Sequence, residues 1–120
     1  TLILLHVVEN LRQWGDLYVP ATAIQLDQKI IEKEAARALE DFYASHVRGV
    51  SDVRREVLSG DPVEVILNVI ENEDVDLVVL GTHGRKGLEH TVFGSVAENV
   101  VRRSPVPVLT INPYTLKPSP

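Results

Sequence analysis

One stretch near the C-terminal end constrains the fold of this chain more than any other. Gly81-Thr82-His83-Gly84 is followed, after nine further residues, by Gly94-Ser95. An apolar run, residues 75–80, comes before this stretch, and a short amphipathic segment, residues 95–103, comes after it. This order predicts a β-strand, a glycine-rich loop and an α-helix. Strands that lead into helices in this way are typical of α/β proteins with a parallel sheet.

The same stretch has the chemistry of an anion-binding site. Glycine lets the backbone come close to a ligand and adopt positive φ. The first N–H groups of the following helix lack partners within the helix and carry partial positive charge, which favours phosphate. His83, Arg85 and Lys86 add positive charge in the loop. We therefore predict that residues 81–95, called the glycine loop below, bind the phosphates of a nucleotide.

Composition limits the alternatives. A chain of 120 residues predicts one domain, and a hydrophobic content of 44% is enough for a packed core. The net charge of −5 argues against broad nucleic-acid binding, which needs a basic face. The absence of cysteine excludes a disulfide framework and thiol chemistry. Because no apolar run approaches the roughly 20 residues that span a bilayer, we expect a cytoplasmic protein without a membrane partner.

The first half of the chain predicts two strands around one long helix. The apolar run Leu2–Val8 suits a strand buried on both faces. Residues 9–25 are expected to form a loop, and residues 27–47 a helix. Residues 53–58 carry Arg54, Arg55 and Glu56, which favours an edge strand. The apolar stripe expected on the helix consists of Ile31, Ala35, Ala38, Leu39 and Phe42.

The second half predicts two more strands, each preceded by a helix. Asp61 and Pro62 suit the cap and first turn of a helix, whose buried face would be Val63, Ile66, Leu67 and Ile70. A strand is expected at residues 75–80. Ser95 and Glu98 have the spacing of a capping box at the start of the next helix. The last strand is expected at residues 106–111, from Val106 to Ile111, and proline on either side of Val106 points to a sheet edge.

These residues resemble a known family. The spacing Gly81-x2-Gly84-x9-Gly94-Ser95, with V-D-L-V-V-L-G before it and S-V-A-E-N-V-V-R-R-S-P-V-P-V-L after it, resembles the signature of the ATP-binding branch of the universal stress protein family. The resemblance covers nearly the whole chain. It implies a three-layer, Rossmann-like α/β fold, with a five-stranded parallel sheet of order 3-2-1-4-5 and helices on both faces.

The resemblance also implies ATP as the ligand, accompanied by Mg²⁺ or Mn²⁺, and assigns contacts to it. Val7 and Leu80 would border the adenine and ribose, and Gly81, Gly84 and Arg85 would approach the ribose and phosphates. Ala97 stands where other members have a hydroxyl, so one phosphate hydrogen bond would be absent, worth on the order of 1 kcal/mol. The complete predicted site comprises Val7, Leu80, Gly81, Thr82, His83, Gly84, Arg85, Lys86, Gly94, Ser95, Val96 and Ala97.

Two expectations concern the extent of the domain. The chain starts inside an apolar run and contains no methionine. The resemblance assigns the family's second to fifth strands to this chain, so its first strand, first helix and an acidic residue near the adenosine are expected to precede Thr1. A single domain is expected over residues 1–112, followed by a flexible tail at residues 113–120.

Three functions remain open on the sequence. The favoured one is an ATP-binding stress-response protein that regulates partners as a dimer, because no Walker-type lysine and no obvious catalytic base accompany the glycines. The second is a slow ATPase or phosphotransferase that uses the same loop. The third is a dimerisation module that no longer binds nucleotide. The last strand is also expected to pair with a second copy of the chain. An apolar edge strand favours such pairing, and the family resemblance implies it. No spacing of His83 or His90 supports a metal site.

Overall fold

The computed structural model describes residues 1–9, 21–82 and 94–112, with the backbone alone at residues 21–26. It contains parallel strands joined through helices, as the sequence predicts. Two compact units can be distinguished, Thr1–Val65 and Ile66–Pro120, which are taken in turn. None of the helices in the described ranges is both long and apolar enough to cross a membrane. The single domain over residues 1–112 stays a prediction.

The first unit is built on a parallel pair of strands. Strand β1 (Leu2–Val8) pairs in parallel with β2 (Val53–Ser59), and Leu2 lies opposite Val53. The Gly60 N–H donates to the Val8 carbonyl oxygen at 2.9 Å and prolongs this pairing. Helix α1 (Ala21–His46) connects the two strands and packs against both. The predicted apolar strand and the predicted polar strand are therefore neighbours, as expected for a strand–helix–strand unit.

Helix α1 begins six residues earlier than predicted, at Ala21 instead of Asp27. The expected loop at residues 9–25 is therefore too long at its C-terminal end. The residues concerned include Ala21 and Ala23, and alanine is the strongest helix former. A proline immediately before a helix is tolerated because the first helical N–H groups have no partner in the helix. Residues 10–20 of the predicted loop lie outside the described residues.

The inner face of α1 differs from the predicted apolar stripe. Ala35 and Leu39 are half-buried as expected, but Ile31 and Phe42 are 39% and 48% exposed and Ala38 is exposed too. The half-buried positions of α1 follow a helical spacing of three and four residues and include polar side chains: Gln28, Glu32, Ala35, Leu39 and Tyr43. The prediction of Ile31, Ala38 and Phe42 as core residues was wrong, because this helix carries apolar side chains on more than one face.

Polar contacts to β2 explain that orientation. The Arg55 Nε donates to Glu40 Oε1 at 2.7 Å, and its guanidinium lies 4.2 Å from the centre of the Tyr43 ring. At the other end of β2, Ser59 Oγ donates to Glu32 Oε1 at 2.6 Å. Late residues of α1 thus meet the start of β2 and early residues meet its end, so the helix runs antiparallel to the strand.

Helix α2 (Pro62–Asn72) starts where the sequence predicts. Asp61 Oδ1 accepts hydrogen bonds from the N–H groups of Val63 at 3.0 Å and Glu64 at 3.2 Å, which confirms it as the capping residue. The predicted inner face is confirmed as well, because Ile70 is buried and the other three predicted positions, Val63, Ile66 and Leu67, are half-buried.

The second unit contains another parallel pair. Strand β3 (Val78–Gly81) pairs with β4 (Val108–Ile111), with Val78 opposite Val108 and Gly81 opposite Ile111. Helix α3 (Ser95–Arg103) lies between them in the chain and contacts β4. Val79 and Leu109 are register partners on one face, and both are exposed.

Both strands start later than predicted, β3 at residue 78 instead of 75 and β4 at residue 108 instead of 106. Val75 lies in the turn after α2, where its N–H donates to the Ile70 carbonyl oxygen at 3.2 Å. Val106 belongs to a turn, in which its N–H donates to Ser104 Oγ at 3.1 Å and its carbonyl accepts from the same hydroxyl at 2.8 Å. At both places, local hydrogen bonds hold the residues that were expected to begin the strand, so the pairing of β3 with β4 starts later.

We expect Gly60→Ala to lower the free energy of unfolding by about 2 kcal/mol, because Gly60 has φ +145° and a Cβ there would lie 3.0 Å from Val65 Cγ2. The matched control is Gly49→Ala, where φ is +76° but nothing lies within 4 Å of the added atom. That variant should lose about 1 kcal/mol. Urea unfolding measures both, and equal losses would show that the Val65 contact imposes no constraint.

We expect Asp74→Gly to stabilise the protein by about 0.5–1 kcal/mol. Asp74 has φ +48° in the turn after α2, a conformation that glycine adopts more readily. Asp74→Gly also removes a negative charge near the helix C-terminus, and Asp74→Asn measures the effect of that charge alone. Asp74→Asn should therefore stabilise the protein by less than Asp74→Gly. Thermal and urea unfolding report both changes, and a destabilised Asp74→Gly would contradict the assignment.

Candidate functional site

The site predicted from the sequence begins at the carboxyl ends of β3 and β4. Gly81 is the last residue of β3 and lies opposite Ile111. The Thr82 N–H then donates to the Ile111 carbonyl oxygen at 2.9 Å, which extends the ladder by one residue. Leu80 is half-buried beside Thr110 on the same pair of strands. These residues form the edge at which parallel sheets bind ligands.

The start of α3 returns to this edge. The Gly94 N–H donates to the Thr82 carbonyl oxygen at 2.5 Å, which joins two residues separated by eleven others in the chain. Gly81, Thr82, Gly94 and Ser95 are therefore brought together, as the sequence predicts for the two ends of the glycine loop. The predicted contacts His83, Gly84, Arg85 and Lys86 lie outside the described residues.

The first turn of α3 presents backbone donors that have no acceptor within the helix. Its first hydrogen bond runs from the Glu98 N–H to the Gly94 carbonyl oxygen at 3.0 Å. The N–H groups of Ser95, Val96 and Ala97 precede this bond, so they have no acceptor one turn earlier within the helix. Gly94 is the N-cap and supplies no side chain to accept from them. The arrangement is chemically suited to an anion, which also gains from the helix dipole.

The predicted capping box at Ser95 and Glu98 was wrong. Gly94 occupies the N-cap position and Ser95 is the first helical residue. The Glu98 carboxylate accepts from Arg102 Nη2 at 2.8 Å, one turn further along the helix. Because the Gly94 N–H is bound to Thr82, the helix starts one residue earlier than the spacing indicates. The Ser95 side chain is consequently exposed at the helix start.

The backbone conformation at residue 94 does not require a glycine. Its φ of −72° and ψ of 160° are accessible to any residue. The positive φ that a glycine-rich loop suggests is found, among the described glycines, at Gly49 and Gly60 instead. At Gly94 the lack of a side chain is therefore the property that matters, since it leaves the first turn of α3 without a capping side chain.

The inner side of α3 fixes the direction of these donors. Ala97 and Val100 are 3% and 0% exposed, so this side of the helix is held in the core of its unit. The Ser104 N–H donates to the Val100 carbonyl oxygen at 2.8 Å and ends the helix. At residue 97 the side chain points inward, so the backbone N–H is the group that can serve an anion there.

Three contributors were not anticipated from the sequence. The carbonyl oxygen of Thr82 and that of Ile111 organise the site through the backbone, and backbone bonding leaves no residue-specific signal. Asn99 Nδ2 donates to the Ser95 carbonyl oxygen at 2.8 Å, one helical turn earlier. An asparagine within a predicted helix is only a weak signal for such a contact. The remaining predicted contact, Val7, lies in β1 of the first unit, opposite Leu58.

Comparison with known proteins places the chain in a family. A family model described as the universal stress protein family matches residues 1–112. Universal stress protein MJ0577 of Methanocaldococcus jannaschii is 39% identical over 87 residues, which cover 72% of this chain and 53% of the relative. Universal stress protein A homolog 1 of Coxiella burnetii is 32% identical over 113 residues, 92% of this chain and 75% of the relative. The match to the archaeal protein thus spans about half of that protein's length.

Solved structures agree with the family assignment. A structure of protein MJ0577 superimposes on 98% of this chain, and on 76% of its own, with a TM-score of 0.80 and 29% identity. Universal stress protein UspA from Lactobacillus plantarum covers 92% of this chain, and 76% of its own, with a TM-score of 0.69; at 23% identity it supports the fold alone. With the family model, the sequence relatives and the parallel α/β fold in agreement, this chain belongs to the universal stress protein family.

Proposed function

We propose that the protein is a nucleotide-binding universal stress protein, in which the start of α3 binds the phosphates of ATP. The observation that supports this most is the set of N–H groups at Ser95, Val96 and Ala97, held at the carboxyl end of β3 by the bond from Gly94 to Thr82. Phosphate suits these donors because they are fixed in direction before a ligand arrives, and fixed donors lower the cost of binding.

The choice of residues at this helix start supports the same proposal. Serine, threonine, aspartate or asparagine at an N-cap would bind the first N–H groups with its own side chain. Gly94 leaves them available, although its φ of −72° would permit any of those residues. Local stability would favour a capping side chain, so the glycine is better explained by a ligand that lies against the backbone.

The proposed contacts form two groups. Gly81, Gly94 and the three N–H groups of α3 belong to the geometry described above, and the Ser95 hydroxyl would add one more polar contact. The roles of Val7, Leu80, His83, Gly84, Arg85 and Lys86 rest on the family resemblance and stay predictions. Mg²⁺ or Mn²⁺ would arrive with the nucleotide and be held by its phosphate oxygens.

We propose a regulatory role for the bound nucleotide. Backbone N–H groups position a phosphate and balance its charge, but they do not activate a nucleophile. Adenine-nucleotide binding would then change how the protein contacts its partners during stress, in the cytoplasm. The slow ATPase and the module without nucleotide remain the alternatives.

We also propose a homodimer formed through β4. In the described part of the chain, β4 hydrogen-bonds to β3 along one side, and Leu109 on this strand is 53% exposed. The Val78 N–H donates to the Pro107 carbonyl oxygen and the Thr82 N–H to that of Ile111, so by alternation the Thr110 N–H points away from β3. A second copy could pair with that outward side.

We expect Gly94→Ala to weaken ATP binding by at least about tenfold, since the added methyl group would stand where the phosphates approach. The fold should persist, because alanine accepts the φ of −72°. Isothermal titration calorimetry with ATP and Mg²⁺ measures the affinity, and circular dichroism verifies the fold.

Gly49→Ala is the control for this measurement, because it alters a glycine outside the predicted site and should leave the affinity unchanged. Absence of binding by the wild-type protein would refute the proposal and favour the dimerisation module. Turnover of labelled ATP that disappears in Gly94→Ala would favour the enzyme.

We expect Thr110→Pro to convert the dimer into a monomer, because proline removes the N–H that would pair with the second copy while the bonds from β4 to β3 are kept. Thr110→Val retains that N–H and should remain dimeric. Sedimentation equilibrium of both variants and the wild type measures the mass. A monomeric wild type, or a dimeric Thr110→Pro, would exclude pairing through this edge.

A further inference from the structure

Thr82 stands where three parts of the second unit meet. Its N–H is bound to Ile111 at the end of β4, and its carbonyl oxygen is bound to the N–H of Gly94 at the N-cap of α3. The chain leaves β3 through Thr82 and comes back to it at Gly94, after eleven intervening residues. One residue therefore connects the two strands to the helix start.

The side chain of Thr82 is buried as well as its backbone. It is 5% exposed, whereas the preceding residue, Gly81, is exposed. Threonine is branched at Cβ and has few rotamers, so a packed threonine restricts its own backbone more than glycine or alanine does. Burial also separates this side chain from the exposed edge at which a ligand would arrive.

The bond to Thr82 uses one of the backbone N–H groups at the start of α3 and leaves the next three. Because the Gly94 N–H is engaged by the Thr82 carbonyl oxygen, the groups left for an anion are the N–H groups of Ser95, Val96 and Ala97. Their direction relative to β3 depends on where Gly94 is held. If the bond opened, the first turn of α3 would lose its connection to the strand end.

We propose that Thr82 is a positioning residue, whose buried side chain and peptide groups hold Gly94 against β3 and thereby aim the α3 donors at the phosphates. This rests on the proposed nucleotide binding, and it replaces the direct ligand contact that the sequence predicts for Thr82. The apparent affinity for nucleotide then depends on the fraction of molecules in which the bond from Gly94 to Thr82 is formed.

The test compares Thr82→Gly and Thr82→Val with the wild-type protein. Amide hydrogen exchange at Gly94, followed by NMR without nucleotide, reports the bond itself. Calorimetric titration with ATP and Mg²⁺ reports its consequence. Thr82→Gly should leave the Gly94 amide nearly unprotected and weaken ATP binding by at least about tenfold. Thr82→Val, which keeps a side chain branched at Cβ, should restore most of the protection and most of the affinity.

Val108→Ala is the matched control. It removes half-buried apolar atoms from β4, opposite Val78, and lowers stability without altering Thr82 or Gly94. Its ATP affinity should stay within about twofold of the wild type. If Thr82 acted only through the overall stability of the protein, Val108→Ala would weaken ATP binding as well. Should Thr82→Gly fail to fold, Thr82→Ala is measured in its place with the same expected direction.

Two results would overturn the inference. One is a Gly94 amide that stays protected in Thr82→Gly, and the other is an unprotected Gly94 amide with unchanged ATP affinity. A wild-type protein that shows a protected Gly94 amide but binds no ATP would refute the proposed function, and with it the role of Thr82 in nucleotide binding, while the bond itself would stand. The exchange and titration measurements therefore separate the two failures.

Discussion

The candidate site depends on one parallel pair of strands and on the two hydrogen bonds that extend it. Parallel pairing brings the carboxyl ends of β3 and β4 to the same edge, where Thr82 bonds to Ile111. The bond from Gly94 to Thr82 then brings the start of α3 to that edge. Together with the buried side chains of Ala97 and Val100, this second bond sets the direction of the three N–H groups that have no acceptor within α3. The chemistry proposed for the loop is thus a consequence of backbone pairing and does not need a catalytic side chain.

The first unit is held together differently. Helix α1 faces its strands with a mixed surface, in which Ala35 and Leu39 are half-buried beside polar residues. Arg55 lies between Glu40 and Tyr43 and joins the helix to β2 through a charge pair and a ring contact. Exposed contacts of this kind are each worth at most about 1 kcal/mol, so their main effect is to select the orientation of the helix. Phe42 remains on the outer side and stacks on His46, with ring centres 4.6 Å apart.

The elements that could be predicted are those whose signals are local. Asp61 and Pro62 predicted the start of α2, and the uninterrupted apolar run predicted β1, because a cap and an apolar strand each depend on neighbouring residues. The expected burial of β1 on both faces was wrong, since Leu2 is exposed and the next five residues are only half-buried. The starts of β3 and β4 were predicted too early, since apolar residues such as Val75 and Val106 are drawn into turns by hydrogen bonds. The spacing of Ser95 and Glu98 likewise predicted a cap that the bond from Gly94 to Thr82 moves to the preceding residue.

The sequence by itself determined the order of strands and helices, the family, and the position of the two ends of the glycine loop, because these follow from apolar periodicity, from glycine and proline, and from a specific spacing. The tertiary structure alone decided which face of α1 packs inward, which residue caps α3, and that Thr82 is buried with its carbonyl oxygen bound to Gly94. The physical reason is that these features depend on partners far away in the chain. A hydrogen bond between residues separated by eleven others carries no trace in the identity of either residue.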